Sequence, residues 1–124
     1  MSETPCTVRR MLIVEDEPDL GACLADYFGG RGFAVDTAYS GEEALERVAA
    51  GPPDVLLLDI LLPGLTGLEV LKRVKQAHPC VRIIMVTALD EAELRAEARF
   101  YGAVGYVTKP FDFAESTWAP ILVS

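Results

Sequence analysis

Acidic residues stand at two points of the sequence where they could do chemistry. Glu15, Asp16 and Glu17 come directly after the apolar run MLIV. Asp59 interrupts the apolar stretch DVLLLDILLPGLTG, residues 54–67. A carboxylate buried among apolar residues is costly unless it has a partner. The sequence therefore raises the question of which cation accompanies Asp59.

Two further polar residues follow apolar runs: Thr87 comes directly after IIMV, and Lys109 stands two residues after the end of GYV. If the carboxylates lie close together, each raises the pKa of its neighbours unless a cation lies between them. A hard divalent cation that prefers oxygen ligands, above all Mg²⁺, would relieve this repulsion. Together with a lysine and a hydroxyl, such a site could bind a phosphoryl group, and a carboxylate could accept it as an acyl phosphate.

The elements that must position these residues follow from the hydrophobic pattern. Apolar, β-branched-rich runs predict strands at 11–14, 33–38, 55–58, 81–86 and 103–107. Helical periodicity fills the intervals, and strands that alternate with helices form a parallel sheet covered on both faces. We expect an α/β, doubly wound, flavodoxin-like (βα)5 fold with five parallel strands in the order 2-1-3-4-5. This order makes strands 1 and 3 neighbours, so Glu15, Asp16 and Asp59 should converge at their carboxyl ends.

Capping signals place the starts of two helices. Ser40 precedes Glu43 by three residues, and Thr66 precedes Glu69 by the same spacing. This is the capping-box pattern, in which the hydroxyl accepts a hydrogen bond from a backbone N–H of the first turn. Helices should therefore begin at these two points.

The first and last helices raise two further expectations. An apolar stripe predicts the first helix and places Cys23 in the core; its members are Leu20, Cys23, Leu24, Tyr27 and Phe28. Near the end of the chain Pro120 should prevent a regular fifth helix, because proline lacks the N–H that a helix interior requires. Trp118 would then pack back on the domain or mark an unusual partner surface.

Composition limits the class of protein. The 124 residues carry a formal charge of −8, which argues against a nucleic-acid-binding surface. Three cysteines without metal-ligand spacing are typical of a reducing compartment. No apolar run approaches the roughly 20 residues that span a bilayer. We expect one cytoplasmic domain that binds neither membrane nor nucleic acid directly.

Four ordered motifs carry a resemblance to a known family; they are MLIVEDEPDL, LLLDILLPGLTGLEVL, IIMVTA and GYVTKPF. Together they resemble the receiver domain of two-component response regulators over roughly residues 9–112. Within the family, VEDEP and DILLPGLTG are most similar to regulators with a winged-helix output. The resemblance implies a receiver domain at 9–124, preceded by an N-terminal extension at 1–8 and ending in an atypical segment at 113–124.

The resemblance implies a role for each residue of the site. Asp59 would be the phosphoacceptor. Glu15 and Asp16 would bind Mg²⁺ as the cofactor, helped by Asp59 and the backbone carbonyl of Leu61. Lys109 would pair with a phosphoryl oxygen.

Two further residues would form the switch. Thr87 would move to hydrogen-bond the phosphoryl group, and Tyr106 would swing into the space that it vacates. The peptide bond between Lys109 and Pro110 would be cis.

The implied function is a phosphorylation-dependent signalling switch of a two-component system. A histidine kinase would donate the phosphoryl group. The surface of helix 4, strand 5 and helix 5 would then change to control an output or a partner. A phosphorylation-dependent homodimer would be one outcome of this change. The chain would be no enzyme beyond catalysing its own phosphorylation and dephosphorylation.

Three alternatives remain open. A phosphatase of the haloacid-dehalogenase type also uses a strand-end aspartate, but it needs a second acid where this chain has Leu61. A pseudo-receiver would dimerise without phosphorylation. A flavodoxin that binds FMN is disfavoured, because the acidic loop after the first strand would repel the phosphate.

Overall fold

Strand and helix alternate five times along the chain, as the periodicity predicts. The computed structural model describes the backbone of residues 9–122 and the side chains of residues 9–119. The predicted N-terminal extension, residues 1–8, lies outside the described residues. None of the helices between residues 9 and 122 is both long and apolar enough to cross a bilayer. The elements are β1 (Arg10–Val14), α1 (Pro18–Gly29), β2 (Ala34–Ala38), α2 (Gly41–Ala50), β3 (Val55–Leu58), α3 (Gly67–Ala77), β4 (Arg82–Thr87), α4 (Ala92–Phe100), β5 (Gly105–Thr108) and α5 (Glu115–Leu122).

The five strands form one parallel sheet in the order β2-β1-β3-β4-β5, which confirms the predicted doubly wound fold. In β1, Val14 pairs with Ala38 on one side and with Leu58 on the other. Leu58 in turn pairs with Met85 of β4. The residues that follow β1 and β3 therefore lie side by side at the carboxyl edge of the sheet.

Each face of the sheet carries its own hydrophobic core, because successive residues of a strand point to opposite faces. Leu12 and Leu56 contribute to the core under α2, α3 and α4, whereas Met11 and Leu57 contribute to the core under α1 and α5. The three central strands are covered on both faces, so the four residues of β3 are all fully buried. This burial explains the continuous apolar run VLLL before Asp59.

Both predicted helix caps are present. The Ser40 hydroxyl accepts a hydrogen bond from the Glu43 N–H at 3.1 Å, and the Thr66 hydroxyl accepts one from the Glu69 N–H at 3.3 Å. By contrast, Glu91, the residue before α4, makes no side-chain capping hydrogen bond, and α4 buries only Ala98. Of the helices whose side chains are fully described, α4 is the least anchored.

The prediction that Cys23 lies in the core is wrong. Its side chain is exposed, while Leu24 and Phe28 form the buried ridge of α1. Cys23 lies at the edge of the apolar stripe, and sequence spacing does not define where that edge meets solvent.

The prediction that Pro120 prevents a regular fifth helix is also wrong, since α5 runs through it. Proline removes one backbone donor from the helix. Trp118 compensates, because its side chain is fully buried and its indole N–H donates to the Asp112 carbonyl at 2.7 Å. The Asp112 carboxylate also accepts hydrogen bonds from the Ala114 N–H and the Thr117 hydroxyl. The aromatic rings around Trp118 belong to Phe28, Phe111 and Phe113.

Candidate functional site

Three carboxylates converge at the carboxyl edge of the sheet, as the strand order predicts. Glu15 and Asp16 follow β1, and Asp59 follows β3. One carboxylate oxygen from each residue lies within 4.8 Å of the others. Glu15 and Asp59 are 3% and 4% exposed, whereas Asp16 is open to solvent. The cluster is therefore buried on one side and accessible on the other.

Lys109, which follows β5, is the cation that accompanies the two buried acids. Its Nζ lies 2.7 Å from Glu15 Oε1 and 2.7 Å from Asp59 Oδ2. The peptide bond from Lys109 to Pro110 is cis, in agreement with the resemblance. One ammonium group thus bridges the carboxylates of the first and third strands.

Backbone donors hold the other oxygens of these carboxylates. The Leu61 N–H donates to Asp59 Oδ1 at 3.0 Å, and the Glu17 N–H donates to Glu15 Oε2 at 3.1 Å. Both oxygens of Asp59 are therefore engaged, one by the chain that follows it and one by Lys109. These contacts fix the orientation of the carboxyl group.

Gly67 shapes the loop that carries Asp59. The Gly67 N–H donates to the Ile60 carbonyl at 2.9 Å, and a Cβ built on Gly67 would overlap the Asp59 backbone carbonyl. The start of α3 therefore packs directly against the backbone of the acid. Sequence reasoning assigned no role to this residue, although its fixed spacing from Asp59 in LLLDILLPGLTG is the signal that marks it.

The charges of the site are strongly coupled. Burial raises the pKa of Glu15 above its ordinary value, and the hydrogen bond from Lys109 opposes that rise. For Lys109, burial would lower the pKa, but hydrogen bonds to Asp59 and Glu15 raise it above the usual range. Lys109 is therefore charged at neutral pH and offsets part of the acidic charge.

The donor set fits a hard divalent cation. Three carboxylates offer oxygen ligands within a few ångströms, and one positive charge opposes them. Asp16 is exposed, so an ion from solution can reach the cluster. Glu15, Asp16 and Asp59 are the residues that could hold it; the Leu61 carbonyl stays a predicted ligand.

Thr87 and Tyr106 are linked through the backbone of Leu89. The Thr87 hydroxyl is fully buried and accepts a hydrogen bond from the Leu89 N–H at 3.4 Å. The Tyr106 hydroxyl donates to the Leu89 carbonyl at 2.6 Å. Leu89, which sequence reasoning did not connect with the switch, is thus bonded to both predicted switch residues.

Comparison with known proteins agrees with this geometry. Residues 11–118 match the family model described as the response regulator receiver domain. The chain is 39% identical over 106 residues to the transcriptional regulatory protein DltR of Streptococcus agalactiae, covering 86% of this chain and 47% of that protein. It is 36% identical to the sporulation initiation phosphotransferase F of Bacillus subtilis, covering 86% of each.

Solved structures share the fold. A chain in the crystal structure of the CheX-CheY-BeF3-Mg complex from Borrelia burgdorferi superposes with a TM-score of 0.86 at 29% identity, covering 94% of this chain and 90% of that one. The chain spans about half the length of DltR and most of the length of the sporulation phosphotransferase. The fold, the acidic cluster and the family match agree, and the chain belongs to the response regulator receiver domain family.

Proposed function

We propose that Asp59 is the residue through which this receiver domain accepts a phosphoryl group from a histidine kinase. The observation that carries the proposal is the bridge that Lys109 makes between Asp59 and Glu15 at 2.7 Å each. A buried aspartate that is held by a lysine and a backbone N–H, beside two more acids, is poised for phosphoryl chemistry.

The transfer is a substitution at phosphorus. An Asp59 carboxylate oxygen forms the new bond to phosphorus while the bond to the donor nitrogen of a phosphohistidine, or to the donor oxygen of acetyl phosphate, breaks. The donor leaves with the bonding electron pair, and Asp59 becomes an acyl phosphate. Lys109, already bonded to Asp59 Oδ2, pairs with the negative phosphoryl oxygens.

Mg²⁺ is the proposed cofactor. The residues that would hold it are Glu15, Asp16 and Asp59, with the Leu61 backbone carbonyl as a further ligand. When bound, it supplies positive charge for the phosphoryl oxygens. Because Glu15 and Asp16 follow β1 and Asp59 follows the neighbouring β3, the sheet would hold these ligands close together.

Phosphorylation is proposed to act through Thr87 and Tyr106 on the surface formed by α4, β5 and α5. Support comes from the connection of both residues to Leu89 and from the weak anchoring of α4. The proposal has three further parts. Phosphorylation would promote a homodimer through this surface, the protein would be cytoplasmic, and it would belong to the subfamily with winged-helix output. This chain itself is not proposed to bind nucleic acid.

We further propose that the chain is a phosphoacceptor that promotes its own phosphorylation and dephosphorylation, and not a phosphatase with turnover. Leu61 occupies the position where such a phosphatase needs a second acid, and its side chain is 54% exposed.

Intact-mass spectrometry after incubation with acetyl phosphate tests the proposal. With Mg²⁺ we expect one phosphoryl adduct on the wild type, and with the metal chelated we expect none. Asp59→Asn should give no adduct under either condition. Glu17→Gln, which changes an exposed acid of the loop between β1 and α1, should behave like the wild type. An adduct that persists in Asp59→Asn would exclude Asp59 as the acceptor.

A further inference from the structure

The loop between β4 and α4, residues 88–91, is held by side chains from both of its neighbours. From β5, the Tyr106 hydroxyl donates to the Leu89 carbonyl at 2.6 Å. From α4, Arg95 Nε donates to Asp90 Oδ1 at 2.7 Å. The Arg95 guanidinium also lies 4.7 Å from the centroid of the Tyr106 ring. We call Asp90, Arg95 and Tyr106 the loop clasp.

Arg95 closes the loop clasp because it touches the other two members. Its ion pair with Asp90 is open to solvent, with side chains 41% and 59% exposed, so the pair alone contributes little. The cation-π contact adds to it, because the same guanidinium lies over the ring whose hydroxyl holds Leu89. Removing Arg95 therefore removes one contact with the loop and one with the Tyr106 ring that is hydrogen-bonded to it.

The state of Tyr106 agrees with this arrangement. Burial raises the pKa of its phenol, while the charge of Arg95 opposes the rise. The phenol is therefore protonated at neutral pH and can donate to the Leu89 carbonyl. Arg95 packs against the ring and leaves this hydrogen bond in place.

Leu89 transmits the effect of the loop clasp to Thr87. The Leu89 N–H donates to the Thr87 hydroxyl oxygen, which therefore acts as an acceptor in that bond. A hydroxyl that accepts one hydrogen bond still has its own proton to donate. A phosphoryl group on Asp59 offers acceptor oxygens at the same sheet edge, because β3 and β4 are paired neighbours.

From these contacts we infer that Arg95 is a positioning residue that holds the β4–α4 loop in the conformation in which Thr87 can bind the phosphoryl group. The inference rests on the proposed function and deepens it. In the conformation that we infer, the loop has less conformational freedom to lose when the group binds, so the group binds more tightly. Arg95 thereby couples the position of α4 to phosphorylation.

The test is a ¹⁹F NMR titration of the full chain with beryllofluoride, a phosphoryl mimic, in the presence of Mg²⁺. Arg95→Met keeps the length of the side chain and removes the guanidinium. We expect it to weaken beryllofluoride binding about three- to tenfold, in line with the loss of one cation-π contact and one exposed ion pair. Mg²⁺ affinity, measured by calorimetry without beryllofluoride, should stay unchanged, which also shows that the variant is folded.

Arg99→Met is the matched control. It makes the same change one turn later on α4, at an exposed arginine with no ion pair or ring contact in the described part of the chain. It should bind beryllofluoride like the wild type. Tyr106→Phe should also weaken beryllofluoride binding. In the Tyr106→Phe background, Arg95→Met should reduce the affinity by a smaller factor than it does in the wild type, because both substitutions act on one loop.

The outcomes distinguish a failure of the Arg95 role from a failure of the proposed function. If the wild type binds beryllofluoride and Arg95→Met binds it equally well, or no more weakly than Arg99→Met, the role of Arg95 is refuted and the proposed function stands. Additive effects of Arg95→Met and Tyr106→Phe would refute the coupling within the loop clasp. If the wild type does not bind beryllofluoride at all, the proposed function fails and the inference fails with it.

Discussion

Replacing Lys109 with methionine should destabilise the folded chain at neutral pH. Lys109 is 16% exposed and bridges the buried carboxylates of Glu15 and Asp59 at 2.7 Å each. Methionine has a similar length and leaves the two acids without their cation. Removing one partner of a buried ion pair costs about 3–5 kcal/mol, and the partial exposure of Lys109 favours the lower end, about 3 kcal/mol.

The loss should depend on pH with a definite sign. The pKa of Glu15 is already raised by burial, and hydrogen bonds from Lys109 and from the Glu17 N–H limit the rise. Without Lys109 the pKa of Glu15 should rise further. A carboxyl group with a raised folded-state pKa contributes stability that is full below its unfolded pKa and is lost as the pH rises through the folded pKa. The deficit of Lys109→Met should therefore shrink when the solution is made weakly acidic.

Urea denaturation at two pH values measures this effect. We expect a loss of about 3 kcal/mol in the free energy of unfolding at about pH 7.5 and a smaller loss at about pH 5.5. Lys75→Met is the control, because within the part of the chain that the structure describes the Lys75 ammonium donates only to the backbone carbonyls of Pro79 and Val81. Its effect should be the same at both pH values. A deficit of Lys109→Met that does not change between them would refute the proposed charge coupling.

Three further predictions concern the metal, α5 and the lifetime of the acyl phosphate. Mg²⁺ at about ten times its Kd should add about 1.4 kcal/mol to the free energy of unfolding of the wild type and raise its Tm. Asp16→Asn should lose most of this gain, whereas Glu17→Gln should keep it. Equal gains in both variants would contradict the assignment of Asp16 to the metal site. Trp118→Ala should lower the free energy of unfolding by about 3–5 kcal/mol, because the ring is fully buried. Chemical denaturation monitored by circular dichroism measures this loss, and a loss below about 1 kcal/mol would show that α5 does not depend on Trp118. Leu61 and Leu89 lie two residues after Asp59 and Thr87, where their side chains can obstruct an attacking water. Leu61→Asn and Leu89→Asn should therefore shorten the lifetime of the acyl phosphate, and an unchanged decay rate in the double variant would rule out this shielding.

Most of the fold could be predicted because its signals are local and repeated. The all-buried strand before Asp59 appears as a continuous apolar run, and parallel pairing then places the strand ends together. The convergence of Glu15, Asp16 and Asp59 follows from strand order alone, and the structure confirms it. These inferences needed no knowledge of side-chain packing.

The errors arose where tertiary contacts decide the outcome. Pro120 carries a local penalty in α5, but burial of Trp118 and the hydrogen bonds to Asp112 outweigh it. Cys23 fits the helical period of α1, but its side chain is exposed. The buried face of α1 includes Leu24 and Phe28 and does not extend to Cys23.

The contacts of Leu89 and Arg95 also lay outside sequence reasoning. These contacts join residues of β4, α4 and β5 through the loop between β4 and α4. In two of the contacts the partner is a backbone group of Leu89, its N–H or its carbonyl. Periodicity and motif spacing carry no information on such contacts. These contacts depend on the three-dimensional arrangement of the loop.

Chemical trapping of the phosphorylated residue tests the central claim most directly. Borohydride reduces an acyl phosphate on aspartate to homoserine and leaves phosphoserine and phosphothreonine unchanged. After incubation with acetyl phosphate and Mg²⁺, followed by borohydride, peptide mapping should find homoserine at position 59 and at no other aspartate. Homoserine at Asp16 or another aspartate, or a stable phosphate on a hydroxyl residue in its place, would contradict the account.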